Sequence, residues 1–150
     1  SCPTDLKTLT PLLLNDLPSY ANRVIQRSRK RDRSADLFSY VIVAGKPEFE
    51  PLNLSQLQYT HLLPDTSEQL FFTTLERRYS NNRAIETQNY YWLFLTQTPS
   101  GWRLVTLVSR FGSPAQAQLF LPPQENSDGV IGQAVHLWLR DCRAGAIRKR

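Results

Sequence analysis

The sequence predicts an α+β domain in which N-terminal helices and a C-terminal helix pack on an antiparallel meander sheet of four or five strands. Helix-spaced apolar residues open and close the chain, and turn residues separate long stretches rich in Val, Ile, Phe and Tyr between them. Its 150 residues suit a single domain. We expect a basic helical segment over 1–34, the antiparallel sheet over 35–112, a proline-containing connector over 113–126, the C-terminal helix over 127–145 and a basic tail over 146–150.

Two helical signals open the chain. Thr10 followed by Pro11 is typical of an N-cap with proline in the first helical position. Pro18 predicts the start of a new turn and a second helix, because proline has no amide donor for the preceding helix. We expect this second helix to end between residues 31 and 34.

Two turns predict the register of three long strands. Thr98-Pro99-Ser100-Gly101 has the residue types of a type I turn followed by a glycine bulge. Asn81-Asn82 suits a two-residue hairpin, since asparagine tolerates positive φ angles. The resulting pairs are Thr98–Trp102, Thr96–Leu104, Phe94–Thr106, Trp92–Val108, Arg77–Glu86 and Phe71–Trp92.

The outer elements have weaker signals. Residues 36–44 predict a strand, and Gly45-Lys46-Pro47 predicts a turn into a shorter segment that ends near Leu54. Ser127 is the expected N-cap of the last helix, with Asp128 in its first turn and Gly145 at its end. The helix should face the core with Ile131, Val135, Trp138 and Cys142.

Seven aromatic residues of the sheet either line a concave pocket or fill an ordinary core, and both interpretations stay open. An antiparallel sheet curled around helices is similar to cystatin-like and nuclear-transport-factor-like architectures. This resemblance concerns architecture alone and implies no function. The residues are Tyr79, Tyr90, Tyr91, Trp92, Phe94, Trp102 and Phe111.

The formal charge of +5 is unevenly distributed. Residues 1–33 contain seven Lys or Arg and three Asp, and residues 140–150 contain five basic residues and one acidic residue. The 106 residues between them contain six basic and nine acidic residues. Two basic ends therefore flank a slightly acidic middle, which favours an anionic partner such as an acidic protein, a membrane surface or nucleic acid.

The segment from Arg23 to Arg33 is the strongest functional signal. At a rise of about 1.5 Å per residue, Arg23, Arg27 and Arg31 form a helical stripe about 12 Å long. Such a stripe suits phosphates or carboxylates, although a solvated helix face is an equally simple interpretation. The predicted anion-binding residues are Arg23, Arg27, Arg29, Lys30, Arg31 and Arg33.

Cys2 and Cys142 allow three interpretations. They form a disulfide in an oxidising compartment, they are two reduced thiols, or Cys2 is lipidated, since Ser1-Cys2 resembles the end of a bacterial lipobox. The first and third favour an extracytoplasmic protein that is periplasmic, lumenal or membrane-anchored; the alternative is cytoplasmic. We expect no transmembrane segment, because no apolar run approaches about 18 residues.

Motifs for catalysis are weak. His61 and His136 belong to no metal-ligand spacing, Glu48 and Glu50 suit an exposed strand face, and Asn53-Leu54-Ser55 is a short glycosylation sequon best explained by chance. The sequence contains no nucleophile elbow and no glycine-rich phosphate loop. We therefore predict a protein that is not an enzyme, with no cofactor and no metal site.

Three functions follow as hypotheses. The first is a non-catalytic binding or assembly module that meets an acidic protein or an anionic membrane surface through its basic ends. The second is an RNA-associated protein that uses the stripe from Arg23 to Arg33. The third is a small-ligand pocket, which needs a cavity with convergent polar groups.

Overall fold

The computed structural model describes residues 1–31, 38–50, 66–112 and 123–147. The elements are helix α1 (Leu6–Arg31), strands β1 (Phe38–Glu48), β2 (Glu68–Ser80), β3 (Arg83–Thr98), β4 (Gly101–Phe111) and β5 (Gln124–Glu125), and helix α2 (Val130–Arg143). The strands form one antiparallel sheet in the order β1-β2-β3-β4-β5. The predicted α+β class is confirmed. The fifth strand is β5, which lies within the expected connector.

Helix α1 begins earlier than the sequence predicted. Asp5 acts as its cap, because the Asp5 carboxylate accepts the Thr8 amide at 3.2 Å and the Asp5 carbonyl accepts the Leu9 amide at 3.0 Å. Thr10 is therefore inside the helix, where its buried hydroxyl donates to the Leu6 carbonyl at 2.8 Å. The predicted N-cap at Thr10 is wrong, because an aspartate cap five residues upstream precedes it.

One continuous helix replaces the two that were predicted. Both Pro11 and Pro18 lie inside α1. A proline inside a helix costs about 3 kcal/mol relative to alanine. Burial of a leucine side chain contributes about 1.5–3 kcal/mol, and the core-facing leucines Leu9, Leu13 and Leu17 are fully buried. Packing on the sheet therefore outweighs the missing amide of Pro18.

Strand β1 also continues where a turn was expected. It runs through Gly45-Lys46-Pro47 to Glu48, and the register with β2 shifts between Gly45 and Glu48. Lys46 adopts a left-handed conformation with φ of 54°. The one extra residue of β1 forms a bulge rather than a reversal. The predicted continuation to Leu54 lies outside the described residues beyond Glu50.

The turn at Asn81-Asn82 is confirmed. Both asparagines have positive φ angles, 50° and 63°. Their hairpin pairs Arg77 with Glu86 and Phe71 with Trp92, as predicted. The guanidinium of Arg77 forms an ion pair with Glu86 across the two strands, which fixes the register at that end of the sheet.

The register at the second turn is partly as predicted. Phe94–Thr106 and Trp92–Val108 are paired as expected, whereas Thr98 pairs with Gly101 and Thr96 with Arg103. Thr98–Trp102 and Thr96–Leu104 are therefore wrong by one residue. The turn is a tight two-residue reversal in which the Thr98 hydroxyl accepts the Ser100 amide at 3.2 Å. The register irregularity next to Leu95 restores the expected pairing further along.

Helix α2 begins at Val130 with Gly129 as its N-cap. Ser127, the predicted cap, instead accepts the Leu107 amide of β4 at 3.0 Å. The Ser127 hydroxyl does not cap the helix because it serves as the hydrogen-bond acceptor for this backbone amide of β4. The predicted inward residues are all buried, and Gly145 ends the helix with φ of 74°. The inward residues are Ile131, Val135, Trp138 and Cys142.

The main core lies between the two helices and one face of the sheet. Apolar residues at alternate strand positions meet α1 and α2 there, including Leu70, Phe72, Leu93 and Leu107. A second, smaller cluster contains Phe94 and Val108 on the other parity of β3 and β4. Strand β3 is thus buried on the face toward the helices and partly covered on the other, where Phe94 is buried and Tyr90 and Trp92 are half-buried.

Side chains bind backbone groups of strand β1 and strand β4. The Asn22 amide of α1 donates to the Val41 carbonyl at 2.9 Å, and its oxygen accepts the Val41 amide at 2.7 Å. On β4, Arg143 donates to the Trp102 carbonyl at 2.7 Å. Such contacts reduce the tendency of an edge strand to pair with another chain.

Among the described helices, none is both long and apolar enough to cross a bilayer.

Candidate anion-binding site

The predicted basic stripe lies on the C-terminal part of α1. Arg23 and Arg27 are one helical turn apart, and both side chains are exposed. Arg29, Lys30 and Arg31 complete the helix. Arg33 lies outside the described residues. The helical arrangement of the stripe therefore agrees with the sequence, and its binding of an anion stays a prediction.

Arg23 lies where α1 meets the end of α2. Its guanidinium carbon is 4.3 Å from the centroid of the Tyr20 ring, a cation–π contact. The Tyr20 hydroxyl donates to the Asp141 carboxylate of α2 at 2.6 Å. Arg140 donates to the other carboxylate oxygen at 3.2 Å. Asp141 therefore joins the two helices and lies between positive charges from both.

The ionisation of this contact is shifted in a consistent direction. Burial and the neighbouring carboxylate raise the pKa of Tyr20 to about 12. The hydrogen bond from Tyr20 lowers the pKa of Asp141; Arg140 and Arg23 add to this effect, and burial partly opposes it. Asp141 is thus a carboxylate at neutral pH, with a neutral tyrosine as its donor.

Two further arginines lie where the end of α2 meets the β3–β4 turn. Arg143 packs on Gly101, since a Cβ at that glycine would be 2.8 Å from the Arg143 Cγ. Arg103 follows the same β3–β4 turn and donates to the Ser100 hydroxyl at 3.1 Å. Burial, together with the positive charges of Arg103 and Arg140, lowers the pKa of Arg143. Arg103 and Arg143 therefore both contact the β3–β4 turn.

We call the arginines around the α1–α2 contact and the adjacent β3–β4 turn the arginine band. Asp141 connects its α1 part to its α2 part, so the two basic regions of the sequence meet in the fold. Charge counting predicted basic ends but did not single out the α2 residues. It also missed Arg103, because that residue lies in the acidic middle of the chain. The band consists of Arg23, Arg27, Arg103, Arg140 and Arg143.

Cys2 and Cys142 form a disulfide, with their Cα atoms 5.1 Å apart. Of the three interpretations of the sequence, the structure supports pairing. The Cys2 sulfur is then occupied, and a lipid thioether would need that sulfur. The Trp102 indole donates to the Pro3 carbonyl at 3.0 Å and fixes the same segment to β4. The first residues of the chain are therefore held against the α2 end of the arginine band.

A second polar cluster, around Glu76, was not predicted. One oxygen of the Glu76 carboxylate accepts hydrogen bonds from Asn89 and Tyr91, each 2.7 Å long, and from Thr74. Burial and the Glu76 charge raise the pKa of Tyr91. The Asn81-Asn82 register already implied that Thr74 lies opposite Asn89, and this was the available signal. These hydrogen bonds satisfy the buried polar side chains of Thr74 and Asn89 on the sheet.

The other candidate residues are dispersed. His136 is exposed on α2, Glu48 ends β1, and exposed Glu50 follows it. His61 and the sequon at Asn53 lie outside the described residues. Within the described ranges, no three His, Cys, Asp or Glu side chains are grouped closely enough to hold a metal ion.

The predicted aromatic set does not converge on one place. Tyr91, Phe94 and Trp102 are buried, whereas Tyr79 and Phe111 are 39% and 54% exposed. A surface cavity of about 520 Å³ lies instead beside the start of α1. None of the seven aromatic residues lines this cavity, whose walls are formed by Ser1, Pro3, Thr4, Asp5, Thr8, Pro11 and Leu12. The packed-core interpretation therefore holds for the buried members.

Comparisons with protein-family models, with curated proteins and with solved structures find no match for this chain. The cystatin-like and nuclear-transport-factor-like resemblance thus stays an expectation about architecture.

Proposed function

We propose that the protein is a non-catalytic binding module that docks an acidic protein through the arginine band. The observation that supports this most is the contact of Tyr20 with Asp141, which brings the α1 arginines next to those of α2. The band then groups five arginines around the α1–α2 contact and the β3–β4 turn, and among the described residues Asp141 is the one carboxylate that forms an ion pair with any of them. Such a surplus of positive charge favours an anionic partner and accelerates its association.

An acidic protein fits better than a membrane surface. A helix that binds in the bilayer interface inserts its apolar face among the lipids. The apolar residues of α1, including Leu13, Leu17 and Val24, are buried in the core and unavailable for insertion.

We infer an extracytoplasmic location for this module, namely the periplasm or a lumen. The Cys2–Cys142 pair supports it, since disulfides persist mainly in oxidising compartments.

The test compares two charge reversals in the full chain. Arg27→Glu changes an exposed member of the band, and Arg83→Glu changes an exposed arginine at the start of β3 by the same charge. Binding of a 20-residue polyglutamate peptide is measured at about 50 mM salt, within the regime of weak screening. We expect Arg27→Glu to weaken binding about tenfold and Arg83→Glu to leave it within about twofold.

Two results would overturn the proposal. Equal affinities of the wild type and Arg27→Glu would show that the band is not the docking surface. Tighter binding of anionic vesicles or of a single-stranded RNA than of the peptide would assign the surface to a membrane or to nucleic acid.

A further inference from the structure

Arg103 and Arg143 both contact the β3–β4 turn, at one end of the arginine band. Two contacts fix the side chain of Arg143. Its aliphatic stem packs on Gly101, and its Nη1 donates to the Trp102 carbonyl at 2.7 Å. Arg103 is held on the same turn by its bond to the Ser100 hydroxyl. Both guanidinium groups are therefore oriented before any ligand arrives, which reduces the entropy lost on binding.

The two groups retain most of their hydrogen-bonding capacity. A guanidinium has five N–H donors. Each of these arginines uses one in the contacts with the described residues, and neither forms an ion pair there. Burial lowers the pKa of Arg143, and the positive charges of Arg103 and Arg140 lower it further because the guanidinium groups repel one another. An anion that contacts both would relieve this repulsion.

The end of α2 is arranged so that it opposes an anion less than a bare helix end would. The Ala146 amide donates to the Asp141 carbonyl at 2.9 Å, and the Gly145 amide donates to the Cys142 carbonyl at 3.0 Å. This Schellman pattern satisfies carbonyls that would otherwise repel negative charge. The charge of Arg140, one turn earlier on α2, is compensated by the Asp141 carboxylate, so the two arginines at the turn supply the positive charge of the site.

We propose that Arg103 and Arg143 form a binding site for a phosphate group. A carboxylate has two oxygens and one charge, and a single guanidinium can satisfy it. A phosphomonoester has three terminal oxygens and a charge of about −1.5 to −2 at pH 7, so two guanidinium groups can share it. The ligand is inorganic phosphate or a phosphorylated side chain of the partner. The second source rests on the proposed function, whereas the first does not.

The test titrates the full chain with sodium phosphate at constant ionic strength and follows the arginine Nε–Hε resonances by NMR. We expect the resonances of Arg103 and Arg143 to shift with phosphate and to stay in place with acetate. Arg103→Gln should weaken phosphate about tenfold, as expected for the loss of a charged hydrogen bond. Arg143→Lys keeps the charge and one donor toward Trp102, and should weaken phosphate because the fork is lost.

Arg83→Gln is the matched control and should bind phosphate as the wild type does. Phosphate shifts no larger than acetate shifts, or equal phosphate affinity in Arg103→Gln and the wild type, would overturn the site. A phosphoserine peptide that binds more tightly than its unphosphorylated form, with dependence on Arg103, would identify the partner as the source. Binding of inorganic phosphate without any binding of acidic peptides would retain the site and reject the proposed function, and the reverse pattern would reject the site alone.

Discussion

The Asp141 carboxylate lies between positively charged side chains of the two helices. It accepts a hydrogen bond from Tyr20 of α1 and another from Arg140 of α2. Tyr20 also supports the Arg23 guanidinium with its ring, so one tyrosine organises both the negative and the positive group. The position of Arg23 relative to α2 therefore depends on a tyrosine whose role no charge pattern indicates.

Removal of the Tyr20 hydroxyl should destabilise the fold in a pH-dependent manner. Tyr20→Phe deletes the largest cause of the lowered pKa of Asp141, and we expect a loss of about 1 kcal/mol at pH 7. A carboxyl group with a lowered pKa in the folded state stabilises above its ordinary pKa of about 3.9, and this contribution disappears as the pH falls through the folded value. Urea unfolding should therefore show a difference between wild type and variant that narrows below about pH 4.

Tyr90→Phe is the control for this experiment. The Tyr90 ring stacks on Phe71, and its hydroxyl has no hydrogen bond with the described part of the chain. The substitution Tyr90→Phe should change the free energy of unfolding little, and by the same amount at pH 7 and below about pH 4. A difference for Tyr20→Phe that stays constant down to pH 2 would contradict the assigned role of Asp141.

At the scale of elements, α1 is a continuous helix although it contains two internal prolines, Pro11 and Pro18. Pro18→Ala restores an amide that can donate to the Leu14 carbonyl. Alanine is favoured over proline inside a helix by about 3 kcal/mol, and the greater freedom of the unfolded chain offsets about 1 kcal/mol. We expect the free energy of unfolding to rise by about 2 kcal/mol, measured by urea denaturation at pH 7.

Ser19→Ala, at the next and exposed position of α1, measures the effect of helix propensity alone. It should raise stability by about 0.5 kcal/mol or less. An unchanged or lower stability for Pro18→Ala would mean that Pro18 packs in a way that alanine cannot replace.

The sequence predicted the sheet best where single residues determine the backbone. Asn81 and Asn82 both adopt positive φ angles, so their turn type and the register of β2 with β3 could be inferred. At Thr98 the side chain bonds to the local backbone and selects a tighter turn. That competition between two turn geometries depends on hydrogen bonds that composition does not rank.

The predicted helix boundaries were wrong where contacts between residues distant in sequence determine the local structure. Pro18 has the signature of a helix break, and only the packing of both flanking turns on the sheet keeps α1 continuous. Ser127 has the signature of a cap, but its hydroxyl binds Leu107 on β4. The candidate site shows the same limit, because Arg23 was identifiable from its spacing, whereas Arg103 enters the band only through the β3–β4 turn.

At the scale of the whole molecule, the disulfide closes the chain on itself. Cys2 and Cys142 are 140 residues apart in sequence. In the chain-entropy model, a loop of this length stabilises the folded state by about 4 to 5 kcal/mol, since the unfolded chain loses conformational freedom. The same bond holds the first residues beside Arg143, so that stability and the shape of the arginine band are linked.

Reduction should therefore destabilise the whole domain and not only its first residues. We expect the urea midpoint to fall by an amount equivalent to about 4 kcal/mol when dithiothreitol is added, in a single transition. Cys2→Ala/Cys142→Ala should unfold like the reduced wild type and show no response to the reductant. If instead reduction left the midpoint unchanged while the Trp102 indole proton lost its protection from exchange, only the first residues would be released. In that case the rest of the fold would depend on the leucine-rich core between α1 and the sheet rather than on the covalent closure.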